Sequence, residues 1–218
     1  MKQQTAISSL VRVHPSKSDK GMGVVVEDAS GSRSIITAAH CVPFSAARGA
    51  GNIVGLVEVS AFGSSKAKPL RACLVAWEPC TDIAVLGLET LSGTLSPDYQ
   101  PLNKFLTDCT AAPLCLDVAS LGRRFGVQIC QHTGEWIRGV VSIYDTDNPH
   151  FLFTEFPKSQ SIKSGTSGSP AFNRDGHVIG VVSFTIDLDG VPRTTGGLTC
   201  LAAALPGWML DNFRNTGP

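Results

Sequence analysis

Short runs of alternating or β-branched apolar residues recur along the whole chain, each closed by a turn signal. Six occupy the first half, at residues 7–13, 23–27, 34–37, 55–62, 73–77 and 83–88. Seven follow after a gap, at 114–120, 127–132, 136–144, 151–155, 170–173, 178–185 and 197–203. A period of two sends successive side chains to opposite faces, so these runs predict short strands. The breaks between them, at 28–31, 173–176 and 187–190, are rich in Asp, Asn and Gly, which suits an all-β sandwich or barrel. Residues 90–113 carry Ser-Gly, Ser-Pro and Gln-Pro breakers and few periodic apolar positions. They read as a linker between two halves, with a short helical turn around 102–106. In the tail, Pro206 suits a first helical turn, and Trp208, Met209 and Phe213 recur at helical spacing, so one closing helix is predicted over 205–213.

Composition narrows the partners. The chain has 218 residues, enough for a substantial core in one domain or two small ones. Its 22 Gly and 13 Pro favour many turns and short strands over long helices. Lys and Arg balance Asp and Glu at 18 each, so no broad field draws a polyanion, and nucleic acid is not expected as a partner. No run approaches the roughly 18 apolar residues of a membrane span. The opening MKQQTAISSLVRV has no sustained apolar stretch and does not read as a signal peptide, although a mature secreted form with an added Met would look the same. Cysteine separates the two. Seven Cys, at 41, 73, 80, 109, 115, 130 and 200, are an odd number without a CxxC pair. They read as reduced, mostly buried small apolar residues, which favours a cytoplasmic chain without a metal site or cofactor.

Three segments carry candidate chemistry. In Ile35-Ile36-Thr37-Ala38-Ala39-His40-Cys41, an apolar strand runs through two small residues into a His, which can place an imidazole at a strand end above a cleft. In Thr81-Asp82-Ile83-Ala84-Val85-Leu86, an Asp enters an apolar run, where its charge is costly to bury unless a partner such as a His N–H compensates it. In Ser164-Gly165-Thr166-Ser167-Gly168-Ser169-Pro170, glycines flank a Ser, so peptide N–H groups there can face a ligand. Each alone is also an ordinary strand end, turn or loop.

Taken together, TAAHC, DIAVL and GTSGSP resemble the three signature blocks of the trypsin/chymotrypsin-like serine proteases, in the family's chain order. Gly139-Val140-Val141-Ser142 is similar to the family's GxVS strand. The compact loops and unpaired cysteines look closest to the high-temperature-requirement and glutamyl endopeptidase branches. The resemblance implies two six-stranded antiparallel β-barrels and a short C-terminal helix. Residues 1–95 would form the N-terminal barrel carrying His40 and Asp82, 96–113 the linker, and 114–218 the second barrel carrying Ser167. It implies a serine endopeptidase acting on polypeptide, with Ser167 as nucleophile, His40 as general base and Asp82 orienting it. The N–H groups of Gly165 and Ser167 would form the oxyanion hole. Ser161, Ser183, Phe184 and Thr185 fall at substrate-binding positions.

The departures from the family pattern bear on specificity and control. Ser161 stands where basic-selective relatives carry Asp, and Val182 where glutamate-selective relatives carry His. Thr185 replaces a common Gly and should narrow the pocket, so a small or medium apolar side chain is the expected preference, unless Asp187 or Asp189 reaches the pocket. Thr166 stands where digestive relatives hold the Asp that pairs with a freed N-terminus, so control should come from loop ordering, a regulatory partner or a fused domain. Cys41 lacks its usual bridge partner, its counterpart strand being Gly21-Met22-Gly23, and Lys163 replaces another bridging Cys. His14, His132, His150 and His177 read as structural or solvent-facing. Two other readings compete. An esterase elbow G-x-S-x-G fails at Ser169 and wants a helix after the Ser. A catalytically silent interaction module on a protease fold is the second.

Overall fold

In the computed structural model, residues 6–14, 20–42, 55–64, 68–90, 93–142, 151–157, 159–186, 199–205 and 209 are described. The first group of alternating runs forms strands β1 (Leu10–His14), β2 (Gly21–Glu27), β3 (Arg33–Ala38), β4 (Leu56–Ala61), β5 (Leu70–Glu78) and β6 (Ile83–Gly87). They pair antiparallel and close in the order β1-β2-β3-β6-β5-β4. The second group forms β7 (Arg124–Cys130), β8 (Trp136–Ser142), β9 (Phe151–Glu155), β10 (Pro170–Phe172), β11 (Val178–Ile186) and β12 (Thr199–Ala204). These close as β10-β11-β12-β9-β8-β7. Closure satisfies both edges of each sheet, so short strands suffice. The chain therefore has the all-β, two-barrel chymotrypsin-like fold.

The barrels share one packed interior. Met22, Val24, Ile36 and Ala38 of the first barrel belong to the same apolar cluster as Cys130, Phe172, Val178 and Val181 of the second. A separate cluster around Val127, Ile129, Ile137, Leu152 and Ile179 fills the second barrel. Cys41, Cys73, Cys115 and Cys130 are buried free thiols, packed as small apolar side chains. A Cβ at Gly21 would lie 2.7 Å from Cys41 Sγ, so a glycine stands where a bridging cysteine would reach that thiol.

Two elements differ from the sequence expectation. The segment 114–120 is not a strand: Leu114 makes one isolated parallel bridge to Val178, and Ala119–Leu121 is a 3-10 turn. Pro113 has no N–H to extend a ladder. The Asp117 carboxylate accepts from Ser120 N–H at 3.2 Å, turning the backbone away from extension. Apolar alternation there reflects Cys115 and Val118 entering the second core from a loop. Within the linker, the short helical turn is a ten-residue helix α1, Tyr99–Asp108. Its Pro101 sits in the first turn, and Leu102 and Leu106, one turn apart, are buried on the first core. Arg33 extends it by capping the far end, its Nη1 donating to the carbonyls of Leu106, Thr107 and Cys109 at 2.9, 2.7 and 2.7 Å. The expected closing helix lies outside the described residues except for Leu205 and Met209, which are both buried.

Candidate active site

The apolar strand β3 delivers His40. Ile35, Ile36 and Ala38 are buried, and Ala39–Cys41 forms a single 3-10 turn directly after the strand. That turn leaves the imidazole about half exposed at the barrel rim. β6 pairs with β3, placing Ala38 opposite Ile83, so the residue before Ile83 stands beside the residues after Ala38. That residue is Asp82, and three bonds lock it to the His turn. Ala39 N–H donates to Asp82 O at 3.0 Å, and His40 N–H donates to Oδ1 at 3.0 Å. His40 Nδ1 lies 2.9 Å from Oδ2 and 3.1 Å from Oδ1. Asp82 adopts φ +53°, the one non-glycine residue in the left-handed region among those described. Asp tolerates that region better than most residues, and the surrounding bonds hold it there.

A fourth side chain completes the pair. In β11 the register shifts between Val182 and Phe184, so Ser183 has no partner on β12. A bulge of this kind re-aims the extra side chain. The buried Ser183 hydroxyl donates to Asp82 Oδ2. The sequence placed Ser183 on the substrate wall; in the structure its hydroxyl serves the carboxylate. The signal was present as a Ser within an apolar run, Val181-Val182-Ser183-Phe184, but nothing in one chain segment names a partner 101 residues away.

Electrostatics follow from these contacts. Burial favours the neutral carboxyl of Asp82, but the bonds from His40 and Ser183 outweigh it and hold the group below the usual carboxylate range. The Asp82 hydrogen bond first, and then contact with Cys41, raise His40 above the ordinary imidazole range despite its partial burial. The pair is thus built to stabilise a protonated imidazole.

Ser167 approaches from the other barrel. Its carbonyl accepts Met22 N–H at 2.7 Å, joining the Ser167 loop to β2. Both Ser167 O and Cys41 Sγ flank the Cα of Gly21, which brings the Ser to the residue adjoining His40. Gly168 sits at φ +80° with its Cα pressed on the first barrel: a Cβ would lie 2.1 Å from Met22 O and 2.4 Å from Thr37 Oγ1. Only glycine fits this approach. Among the described residues no hydrogen bond joins His40 and Ser167. Such contacts often tighten only when substrate is bound.

The Gly165 side of the loop is a turn closed by Thr166 N–H to Lys163 O at 3.2 Å, with Gly165 at φ +86°. A positive φ at the third position is what a type II turn requires of its glycine. Among the described residues, neither Gly165 N–H nor Ser167 N–H has an internal acceptor. Two free donors two positions apart, one of them the serine's own N–H, can bind an anionic oxygen. Ser169, the other hydroxyl in the loop, is fully buried and donates to Cys130 O. Ser161 is partly buried in the loop following β9. Phe184 and Thr185 pair through their backbones with Leu201 and Cys200 of β12. His132, read as structural or solvent-facing, lies against Gly165, where a Cβ would be 3.5 Å from its ring.

Comparison with curated proteins found no match. Among solved structures, the serine endoprotease from Yersinia pestis is similar, at 18% identity and a TM-score of 0.54 over 92% of this chain. This chain spans 60% of the length of that one. The active form of the Rv3671c protease from M. tuberculosis aligns over 99% of this chain and 85% of its own, at 18% identity and a TM-score of 0.56. Its inactive form aligns over 96% and 89%, with a TM-score of 0.53. These likenesses are of fold. Residues 21–181 match the trypsin-like peptidase domain, a span running from β2 into β11 that contains His40, Asp82 and Ser167. The chain therefore belongs to the trypsin-like peptidase family of serine proteases.

Proposed function

We propose that this chain is a serine endopeptidase that cleaves polypeptide through an acyl-enzyme. The observation that carries the reading is the His40–Asp82–Ser183 chain of hydrogen bonds, which runs from the rim of the first barrel to β11 of the second, beside a serine loop with two free N–H groups. Ser167 Oγ attacks the scissile carbonyl while His40 Nε2 takes its proton. Asp82, hydrogen-bonded at Nδ1, fixes the tautomer and stabilises the imidazolium that forms. Negative charge developing on the carbonyl oxygen falls to the N–H groups of Gly165 and Ser167. The imidazolium then protonates the leaving amine, and water, deprotonated by the same His, hydrolyses the ester on Ser167.

The substrate is held as an extended strand, with a small or medium apolar side chain at the cleaved position. Ser161 supplies no carboxylate for a basic side chain. A silent binding module would have no need of free donors at Gly165 and Ser167 or of a hydrogen-bonded Asp82, so the catalytic reading is preferred. A fluorophosphonate probe tests it. Wild-type protein should be labelled at Ser167, and Ser167→Ala should abolish labelling and peptide hydrolysis together. Well-folded wild-type protein that neither labels nor cleaves would sink the proposal.

A further inference from the structure

The loop carrying Ser167 needs something to hold its turn, because Thr166, fully buried at its centre, carries no charge that could anchor it. The connection between β7 and β8 does this work with three contacts, and the last residue of β7 adds a fourth. Gln131 is buried, and its Oε1 accepts the N–H of Lys163, the first residue of the turn, at 2.8 Å. Glu135 pairs with Lys163 Nζ at 2.5 Å. His132 N–H reaches Thr166 Oγ1 at 3.5 Å, and Cys130 O accepts from Ser169 Oγ. The connection is itself tight: Gln131 N–H donates to Glu135 O and Gly134 N–H to Gln131 O, both at 2.8 Å. Lys163 is thus held at its N–H by Gln131 and at its carbonyl by Thr166, which fixes the peptide frame preceding Gly165.

We propose that the 131–135 turn is the built-in clamp of the oxyanion loop, and that Gln131 is its positioning residue. Gln131 touches no reacting atom. It acts through the orientation of the 163–166 turn, and hence of the Gly165 N–H. The inference rests on the protease reading for its kinetic consequence, but not for its structural one.

Gln131→Met keeps the volume and removes the acceptor, while Gln131→Glu keeps an acceptor oxygen. Gln131→Met should lower kcat on a peptide substrate at least tenfold with KM within about twofold, because the lost donor acts on the transition state rather than on ground-state binding. Fluorophosphonate labelling should slow by a similar factor, amide exchange over 163–168 should accelerate, and Gln131→Glu should restore part of both. Asn173→Leu is the comparison: Asn173 Oδ1 likewise accepts a backbone N–H, that of His177 at 2.9 Å in the connection between β10 and β11, and kcat should not change. If Gln131→Met does not fold, Gln131→Asn, too short to reach Lys163 N–H, takes its place. Unchanged kcat and unchanged exchange in a folded variant would overturn the clamp, as would a loss expressed in KM alone. If wild-type protein shows no labelling but the variant still loosens 163–168, the clamp stands and the protease reading falls.

Discussion

Asp82 shows how much one residue is asked to do. Its backbone sits at φ +53°, its carbonyl and one carboxylate oxygen fasten the turn carrying His40, and its carboxylate takes Nδ1 and the Ser183 hydroxyl. A general base works only when neutral, and Asp82 raises the pKa of His40 by favouring the charged ring. Activity should therefore rise with pH along a limb displaced above pH 6.5, the ordinary imidazole value. Asp82→Asn removes the charge that raises it. The limb should move down towards that value, while kcat falls about 10⁴-fold because the ring loses its tautomer control. A pH profile of kcat/KM for both proteins checks this; a wild-type limb at or below pH 6.5 would contradict it. The three blocks singled out His40, Asp82 and Ser167 in the sequence, and the structure pairs the first two, whereas the bond from Ser183 to Asp82 depends on a bulge that no pattern of residue types displays.

At the scale of elements, the residues proposed for catalysis and the partner of Asp82 sit where regular structure stops. His40 follows β3, Asp82 precedes β6, Ser167 precedes β10, and Ser183 marks the irregularity in β11. The strands were readable because alternation has one physical meaning on a two-sided sheet. Segment 114–120 alternates for a different reason, since a loop laid over a core also buries every second or third residue. Helix α1 was underestimated because its C-terminal cap comes from a tertiary partner: Arg33 holds its last carbonyls, while the Asp98 carboxylate at its start goes to Arg71 at 2.9 Å and makes no cap bond. The loop carrying Ser167 is intolerant of a side chain at Gly168. Gly168→Ala would place a methyl 2.1 Å from Met22 O at φ +80°, where no rotation relieves it. The expected cost is about 3 kcal/mol or more, combining backbone strain with displacement of β2. Urea unfolding measures it, and a loss under about 1 kcal/mol would mean the loop does not press on β2 as described.

In the whole molecule, the two barrels are held to each other by a shared apolar cluster. Phe172 on β10 lies in the cluster that holds Met22 and Val24, and its ring stands 6.1 Å from that of Trp136. Phe172→Ala should cost about 3–5 kcal/mol, and unfolding should remain a single transition. Separate melting of the barrels in calorimetry would argue against a shared core. The sequence by itself determined the strand-rich architecture and the three blocks, since periodicity and local spacing are written in neighbouring residues. Only the tertiary structure decided that Ser183 serves Asp82, that Gln131 holds Lys163, and that Gly168 must lack a side chain. Those facts depend on which distant backbones touch, and contact between segments far apart along the chain leaves no mark on either segment alone.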